Sequence, residues 1–189
     1  HIVEQTLLLY RTSPDSFAPQ LAKVDLAVLL REQVSLLYEQ FEAKQQTISL
    51  DELPESVVLG NGNFLSILIA NLLTNANKYV PDQGRIKGLL RRDDSGIELV
   101  IQDSGEGIPV HDLERVFDRF YRVGADRHNS GVSGCGLGLA ISKHIADLHQ
   151  AHITFAHLPI KNTGNETTPL RFEVSVRFAL APTELRPKV

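Results

Sequence analysis

The sequence contains no Met, no Trp and a single Cys in 189 residues. One thiol excludes an internal disulfide and any zinc site built from several cysteines. A bilayer-length apolar run is also lacking. The longest apolar stretch, Phe64 to Leu73, is interrupted by Ser66 and Asn71 and falls short of the roughly 20 residues that a span needs. No secretory leader is read at the start. Basic charge is not in excess: the net charge is −4, so the footprint of a nucleic-acid binder is missing. At 42% hydrophobic and 22% charged residues the composition is globular rather than disordered. The length fits one domain with a core of useful size, carrying at most an appendage. The lack of Met and the apolar-rich opening read as a segment of a longer protein.

What is present falls into an ordered pattern. Val3, Leu7 and Tyr10 stand at the spacing of a helical seam, so residues His1 to Arg11 read as the end of a helix. Thr12 to Pro19 reads as a linker. Leu26, Leu29, Leu30, Gln33, Val34, Leu37, Tyr38 and Phe41 form a largely apolar helical stripe. Gln46 to Leu50 and Ser56 to Leu59 are short strand candidates around Pro54. Asn61 to Tyr79 reads as a second helix. Arg85 to Arg92 and Ile97 to Gln102 flank Asp93-Asp94-Ser95-Gly96, a hairpin signal. Gly105 to Gly138 is too long for an ordinary connection and reads as a functional loop. Leu139 to His149 reads as a third helix. Ile153 to His157 and Leu170 to Phe178 read as closing strands, separated by a polar loop. Helices interleave with strands but a hairpin is present, so a mixed sheet is expected.

Four constellations carry chemistry. Asn71, Asn75 and Lys78 share an arc of roughly 60° on the second helix, with Leu65, Ile69, Leu72, Leu73 and Ala76 opposite. Taken alone this is a solvated face; its functional reading is an oxygen donor for a hard cation beside a positive charge for phosphate. Asp103-Ser-Gly-Glu-Gly107 follows a strand. There an aspartate can accept from an exocyclic amine and glycines permit close backbone approach; the alternative is a plain turn. Phe117 to Arg122 combines arginines with aromatics, and is otherwise an amphipathic surface helix. Gly134-Cys-Gly136-Leu137-Gly138 runs into the third helix, whose amides and dipole favour an anion. Neither the Walker pattern nor the dinucleotide fingerprint is matched.

In order and spacing these four segments resemble the N box, first glycine box, F box and second glycine box of the catalytic ATP-binding domain of bacterial sensor histidine kinases. That domain belongs to the superfamily of gyrase, the Hsp90 chaperone, histidine kinases and MutL. The resemblance covers about Leu21 to Ala181. It implies a two-layer α/β sandwich of the Bergerat type, a mixed sheet of about five strands backed by three helices, with a lid over ATP. It divides the chain into the end of a dimerisation helix with its linker (1–20), the ATP-binding domain (21–183) and a tail (184–189).

The resemblance also implies roles. Asn75 would hold Mg²⁺, with Asn71 assisting beside the phosphates, and Lys78 would neutralise phosphate charge. Tyr79 would line the adenine or ribose, Asp103 would accept from the adenine amino group, and Ile108 would pack on the base. Gly105 and Gly107 would let the chain bend around the purine. Arg122, with Arg119, would reach the terminal phosphates. Gly134, Gly136, Leu137 and Gly138 would seat the phosphates and hinge the lid. Hydrolysing members of the superfamily carry a glutamate base four residues before the metal-binding asparagine. Here that position is Asn71, whose amide takes no proton at neutral pH, so the γ-phosphate is kept for another acceptor. In a histidine kinase the acceptor is a histidine on the dimerisation helices, and a response regulator then takes the phosphoryl group onto an aspartate.

No acceptor motif is found. His1 is followed by the wrong residues. His111-Asp112 has a His–acid pair without the Thr-Pro that should follow, and reads as an exposed segment with Asp112 as a helix cap. The spacing of His144, His149, His152 and His157 crosses a helix–strand junction and argues against zinc. Cys135 stands where a hydroxyl residue is common and Glu106 where proline is common. The expected parent is a homodimer anchored in the bacterial inner membrane, with this cytoplasmic segment monomeric by itself. Two other readings compete: a degenerate module that senses ATP or ADP without transfer, and an ATP-driven clamp or chaperone.

Overall fold

Two side-chain caps start the first two helices. Asp25, in extended backbone, accepts from the Ala27 amide at 2.8 Å, and Leu26–Ala43 follows as α1. Asn61 accepts from the Phe64 amide at 3.2 Å, and Gly62–Tyr79 follows as α2. Each side chain satisfies one of the donors that a helix start leaves open. The third helix, α3 (Gly138–Leu148), begins after the glycine-rich segment without such a cap. These assignments come from a computed structural model that describes residues 21–51, 55–123, 135–159 and 168–180. The helix and linker expected over 1–20, the tail 184–189, and residues 124–134 of the long loop, Gly134 included, lie outside those residues.

Five strands form one mixed sheet: β2 (Thr47–Leu50), β4 (Arg85–Asp93), β5 (Gly96–Asp103), β6 (His152–His157) and β7 (Phe172–Phe178), in the order β2-β4-β5-β7-β6. Only the β2–β4 pair is parallel. The β4–β5 hairpin turns where expected, because the Asp93 carboxylate accepts from the amides of Ser95 and Gly96. A second, two-stranded sheet pairs β1 (Ala22–Asp25) with β3 (Val57–Gly60), antiparallel. The strand over Ala22–Asp25 was not anticipated, and it draws the residues after Pro54 out of the main sheet.

α2 lies between α1 and α3. Its Leu65, Leu68, Ile69, Leu72 and Leu73 are at most 2% exposed and meet Leu30 and Phe41 of α1, Ile141 and Ile145 of α3, and Ile86, Leu99 and Ile101 of the sheet in one core. Each such side chain contributes roughly 1.5–3 kcal/mol on leaving water. Tyr38 departs from its stripe: it is 53% exposed, since the α1 face that reaches α2 is centred on Leu26, Leu30 and Phe41. On the opposite face of the sheet Arg91 forms a two-pronged ion pair with Glu173 at 2.8 and 3.0 Å, and Gln102 donates to the same carboxylate at 2.7 Å. By register Val100 lies between these residues, and it is fully buried.

Candidate nucleotide site

The C-terminal end of α2 is fixed before any ligand is considered. Gln46 donates to the carbonyls of Asn77 and Val80 at 3.1 and 2.8 Å. Asn77 donates in turn to Gln46 Oε1 and the Gln40 carbonyl at 2.9 and 3.0 Å. The Lys44 ammonium donates to the Asn77 carbonyl at 2.6 Å. These bonds satisfy carbonyls that a helix end leaves open. Asn77 therefore turns into the protein, while Asn71, Asn75 and Lys78, all half-buried, run along another face of α2.

That face meets the start of α3. Asn71 Nδ2 donates to the Gly138 carbonyl at 3.3 Å. A Cβ on Gly138 would lie 3.8 Å from Asn75 Oδ1 and 3.9 Å from Asn71 Oδ1. Both carboxamide oxygens thus stand beside the first turn of a helix of 11 residues, where amides and dipole favour negative charge. Among the described residues, the Asn75 side-chain amide and the Lys78 ammonium make no hydrogen bond or ion pair. Leu137 is 1% exposed and belongs to the core, so its side chain faces away from a ligand.

Asp103 ends β5 and is 8% exposed. Burial pushes its carboxyl up to about 6, against the Gly105 amide, which donates to it at 2.8 Å and favours the charged form. A Cβ on Gly105 would sit 2.9 Å from Asp103 Oδ1 and 3.2 Å from the Tyr79 carbonyl. The Tyr79 side chain is 55% exposed. Gly107 has φ +75°, and a Cβ there would come within 2.3 Å of the Phe172 ring. The His157 ring packs edge-on against Phe172 at 5.3 Å, and its Nε2 lies 2.9 Å from the Ile108 carbonyl. The segment 105–108 is thus laid against β6 and β7. The sequence offered His157 only as a zinc candidate and Phe172 only as a strand residue; their packing against this loop was missed, because only the sheet brings them to it.

The F box joins both ends of the long loop. The Phe120 amide donates to the Gly136 carbonyl at 3.0 Å, and both residues lie in the left-handed region, at φ +66° and +70°. A Cβ on Gly136 would approach the Tyr121 carbonyl to 2.7 Å. Arg122 is half-buried. Arg119 lies toward α3: burial first, and then the Arg119 charge, lower the pKa of His144, against Asp147. Asp112 does not cap a helix. It is the last residue of the 3₁₀ turn Val110–Asp112, and its buried carboxylate accepts from the Tyr121 hydroxyl. His111 is exposed. His149 is internal: Nδ1–H donates to the Ile145 carbonyl at 2.7 Å and Nε2 accepts from the Asn61 amide at 3.0 Å. Among the described residues no group of three His, Cys, Asp or Glu converges as a metal cage would require, and no helix is long and apolar enough to cross a membrane.

Comparison with known proteins agrees with this geometry. The family described as histidine kinase-, DNA gyrase B- and HSP90-like ATPase matches residues 60–180. The phosphate regulon sensor protein PhoR of Pseudomonas aeruginosa is 38% identical over 64% of this chain and 27% of its own length. The sensor-like histidine kinase SenX3 of Mycolicibacterium smegmatis is 37% identical over 79% of this chain and 38% of its own length. The chain thus spans well under half of these curated relatives. Among solved structures, the mycobacterial sensor histidine kinase MprB superposes with a TM-score of 0.69 at 25% identity, over 86% of this chain and 99% of that one. Full-length ShkA in complex with AMPPNP shares the fold, with a TM-score of 0.73 at 23% identity, over 97% of this chain and 36% of that one.

Proposed function

This chain belongs to the family of histidine kinase-, DNA gyrase B- and HSP90-like ATPases, and from that premise we propose that it is the ATP-binding catalytic half of a two-component sensor kinase. In the whole protein it transfers the γ-phosphate of ATP to a histidine of a dimerisation domain, and a response regulator receives the phosphoryl group. The observation that carries the reading is the meeting of Asn71, Asn75 and Lys78 with the first turn of α3, together with buried Asp103 at the end of β5.

The chemistry divides among those residues. Asp103 accepts a hydrogen bond from the adenine amino group, with Ile108 on the base, Tyr79 at its edge and Gly105 and Gly107 allowing the close approach. The amides of the α3 start, from Gly134 through Gly136, Leu137 and Gly138, receive phosphate oxygens through the main chain. Lys78 and Arg122, with Arg119, neutralise charge on the phosphates. The carboxamide oxygens of Asn75 and Asn71 fit Mg²⁺, a hard cation that takes oxygen ligands. Held there, Mg²⁺ would supply neutralisation of phosphate charge. No carboxylate stands at position 71 to activate water, so positioning rather than hydrolysis is the task of the domain.

The same reading assigns 1–20 to the end of the dimerisation helix and its linker, 21–183 to the ATP-binding domain and 184–189 to a tail. It gives the parent as a homodimeric phosphoprotein of the inner membrane, with this part in the cytoplasm and monomeric alone. The test is transfer in trans. Mixed with the dimerisation domain of its own parent and γ-labelled ATP, the chain should label a histidine of that domain. Retention of all label in ATP, in spite of tight ATP binding, would contradict transfer and favour a nucleotide-sensing module.

A further inference from the structure

Asp112 and Tyr121 form a clip that the proposed chemistry does not use. The Asp112 carboxylate is 8% exposed and accepts from the Tyr121 hydroxyl. The Arg115 guanidinium covers the Tyr121 ring at 4.4 Å and approaches Asp118 at 3.8 Å. Behind the ring the main chain is held as well. The Tyr121 amide donates to the Asp118 carbonyl at 3.3 Å, and the Phe120 amide donates to Gly136 at 3.0 Å. Tyr121 is thereby fixed at its hydroxyl, its ring face and its backbone. The next residue is Arg122, and Gly136 stands two residues before Gly138, which faces Asn71 and Asn75.

We propose that the Asp112–Tyr121 clip is a positioning device that sets Arg122 for the terminal phosphate of ATP, so that the chain prefers ATP to ADP. The physical reason is the length of the arginine. A long side chain meets a phosphate in one geometry only when the backbone beneath it is held, and small misplacements at a charged site are costly. A buried carboxylate is a strong acceptor for a phenol, and through this bond Tyr121 ties the 3₁₀ turn that follows the first glycine box to the segment whose Phe120 amide donates to Gly136. The proposal rests on the reading of Arg122 as a phosphate ligand, and the variants below separate the two.

The experiment is calorimetric titration of the chain with Mg²⁺–ATP and with Mg²⁺–ADP. Arg122→Ala is expected to bring ATP affinity down to that of ADP. Tyr121→Phe, which removes only the hydroxyl, is expected to cut the ATP-over-ADP preference about threefold or more while ADP affinity stays at the unaltered value. Asp112→Ala removes the same bond from its other side and must give the same loss, with the double variant no worse than either single one. Asp112→Asn keeps an acceptor oxygen and should retain the preference. If Arg122→Ala loses the preference while Tyr121→Phe and Asp112→Ala keep it, the clip has no positioning role and the reading of Arg122 stands. Equal weakening of ATP and ADP in the clip variants marks a merely structural bond and overturns the proposal. An undiminished preference in Arg122→Ala, or equal affinities for both nucleotides in the unaltered chain, removes the reading of Arg122 and the clip's role with it.

Discussion

Asn71 on α2 donates its side-chain N–H to the carbonyl of Gly138 at 3.3 Å, which ties the candidate metal face to the first turn of α3. The donor half of the Asn71 amide is thus committed to the protein, while the Asn75 amide, one helical turn on, has no such bond among the described residues. That bond uses the Asn71 nitrogen, so the oxygens of both amides stay open to a cation, and Asn75 is the ligand the proposed function puts first. Asn75→Ala is expected to abolish the dependence of ATP affinity on Mg²⁺, with adenosine binding unchanged. Titration with and without Mg²⁺ checks this; a Mg²⁺ effect that survives the substitution would contradict the assignment.

Asp103 titrates at about 6 because it is buried. Above that pH it is a carboxylate and can accept from the adenine amino group; as pH falls through 6 it takes a proton and the acceptor weakens. ATP affinity of the protein should therefore decline from pH 7 to pH 5. ATP itself titrates in this range, so the protein's share is the difference from Asp103→Asn, which should lack it. Asp103→Ala, which removes the acceptor itself, should bind ATP at least about tenfold more weakly at pH 7, since a hydrogen bond to a charged group is worth roughly 1.5–3 kcal/mol, and should lose discrimination against GTP. Equal ATP and GTP affinity in the unaltered chain would contradict adenine recognition by Asp103.

Gly136 sits at φ +70° with no room for a Cβ beside Phe120 and Tyr121. Gly136→Ala must shift the backbone or strain it by roughly 1–2 kcal/mol. Its expected effect is a loss of nucleotide affinity larger than its loss of thermal stability, because the F box and the start of α3 move apart while the core is untouched. Calorimetry and a thermal melt on one sample compare the two.

His149 links stability to pH. Its neutral form donates from Nδ1 to Ile145 and accepts at Nε2 from Asn61, and burial first, against the bond to Ile145, lowers its pKa. The unfolded chain, near the ordinary value of about 6.5, takes up a proton before the folded one. Stability is then fully present above pH 6.5 and declines as pH falls below it. Melting temperatures at pH 7.5 and 5.5 should show this decline, and His149→Phe should show less of it from a lower starting point. An equal decline in the variant would assign the dependence elsewhere.

The elements with strong local signals were legible from the residues alone. The apolar register of Leu65, Ile69 and Leu72 fixes α2 to within one residue of its expected start, and Asp93 to Gly96 fix the hairpin. β1 was missed because its four residues lack a clean alternation and, among the described residues, it pairs only with β3, which follows α1 and β2 in the chain. Tyr38 falls on the apolar stripe by a helical register that the partner face does not follow. The contacts that fix the site, such as Asn77 with Gln46, His157 with Ile108 and Asp112 with Tyr121, join residues far apart or in irregular segments, where periodicity carries no information. Asp112 showed only a His–acid pair and a cap-like setting, and neither points to a phenol. Asn71, Asn75 and Lys78 were legible as one face, but only the fold brings Gly138 to that face.

The central claim is that this domain binds ATP with Mg²⁺ and keeps the γ-phosphate for a histidine. The most direct test titrates the chain with ATP, with and without Mg²⁺, and measures phosphate release in the same samples. The account predicts Mg²⁺-dependent binding with negligible release. Sustained release would contradict it in favour of an ATP-driven clamp, and no binding up to millimolar ATP would contradict the nucleotide site itself.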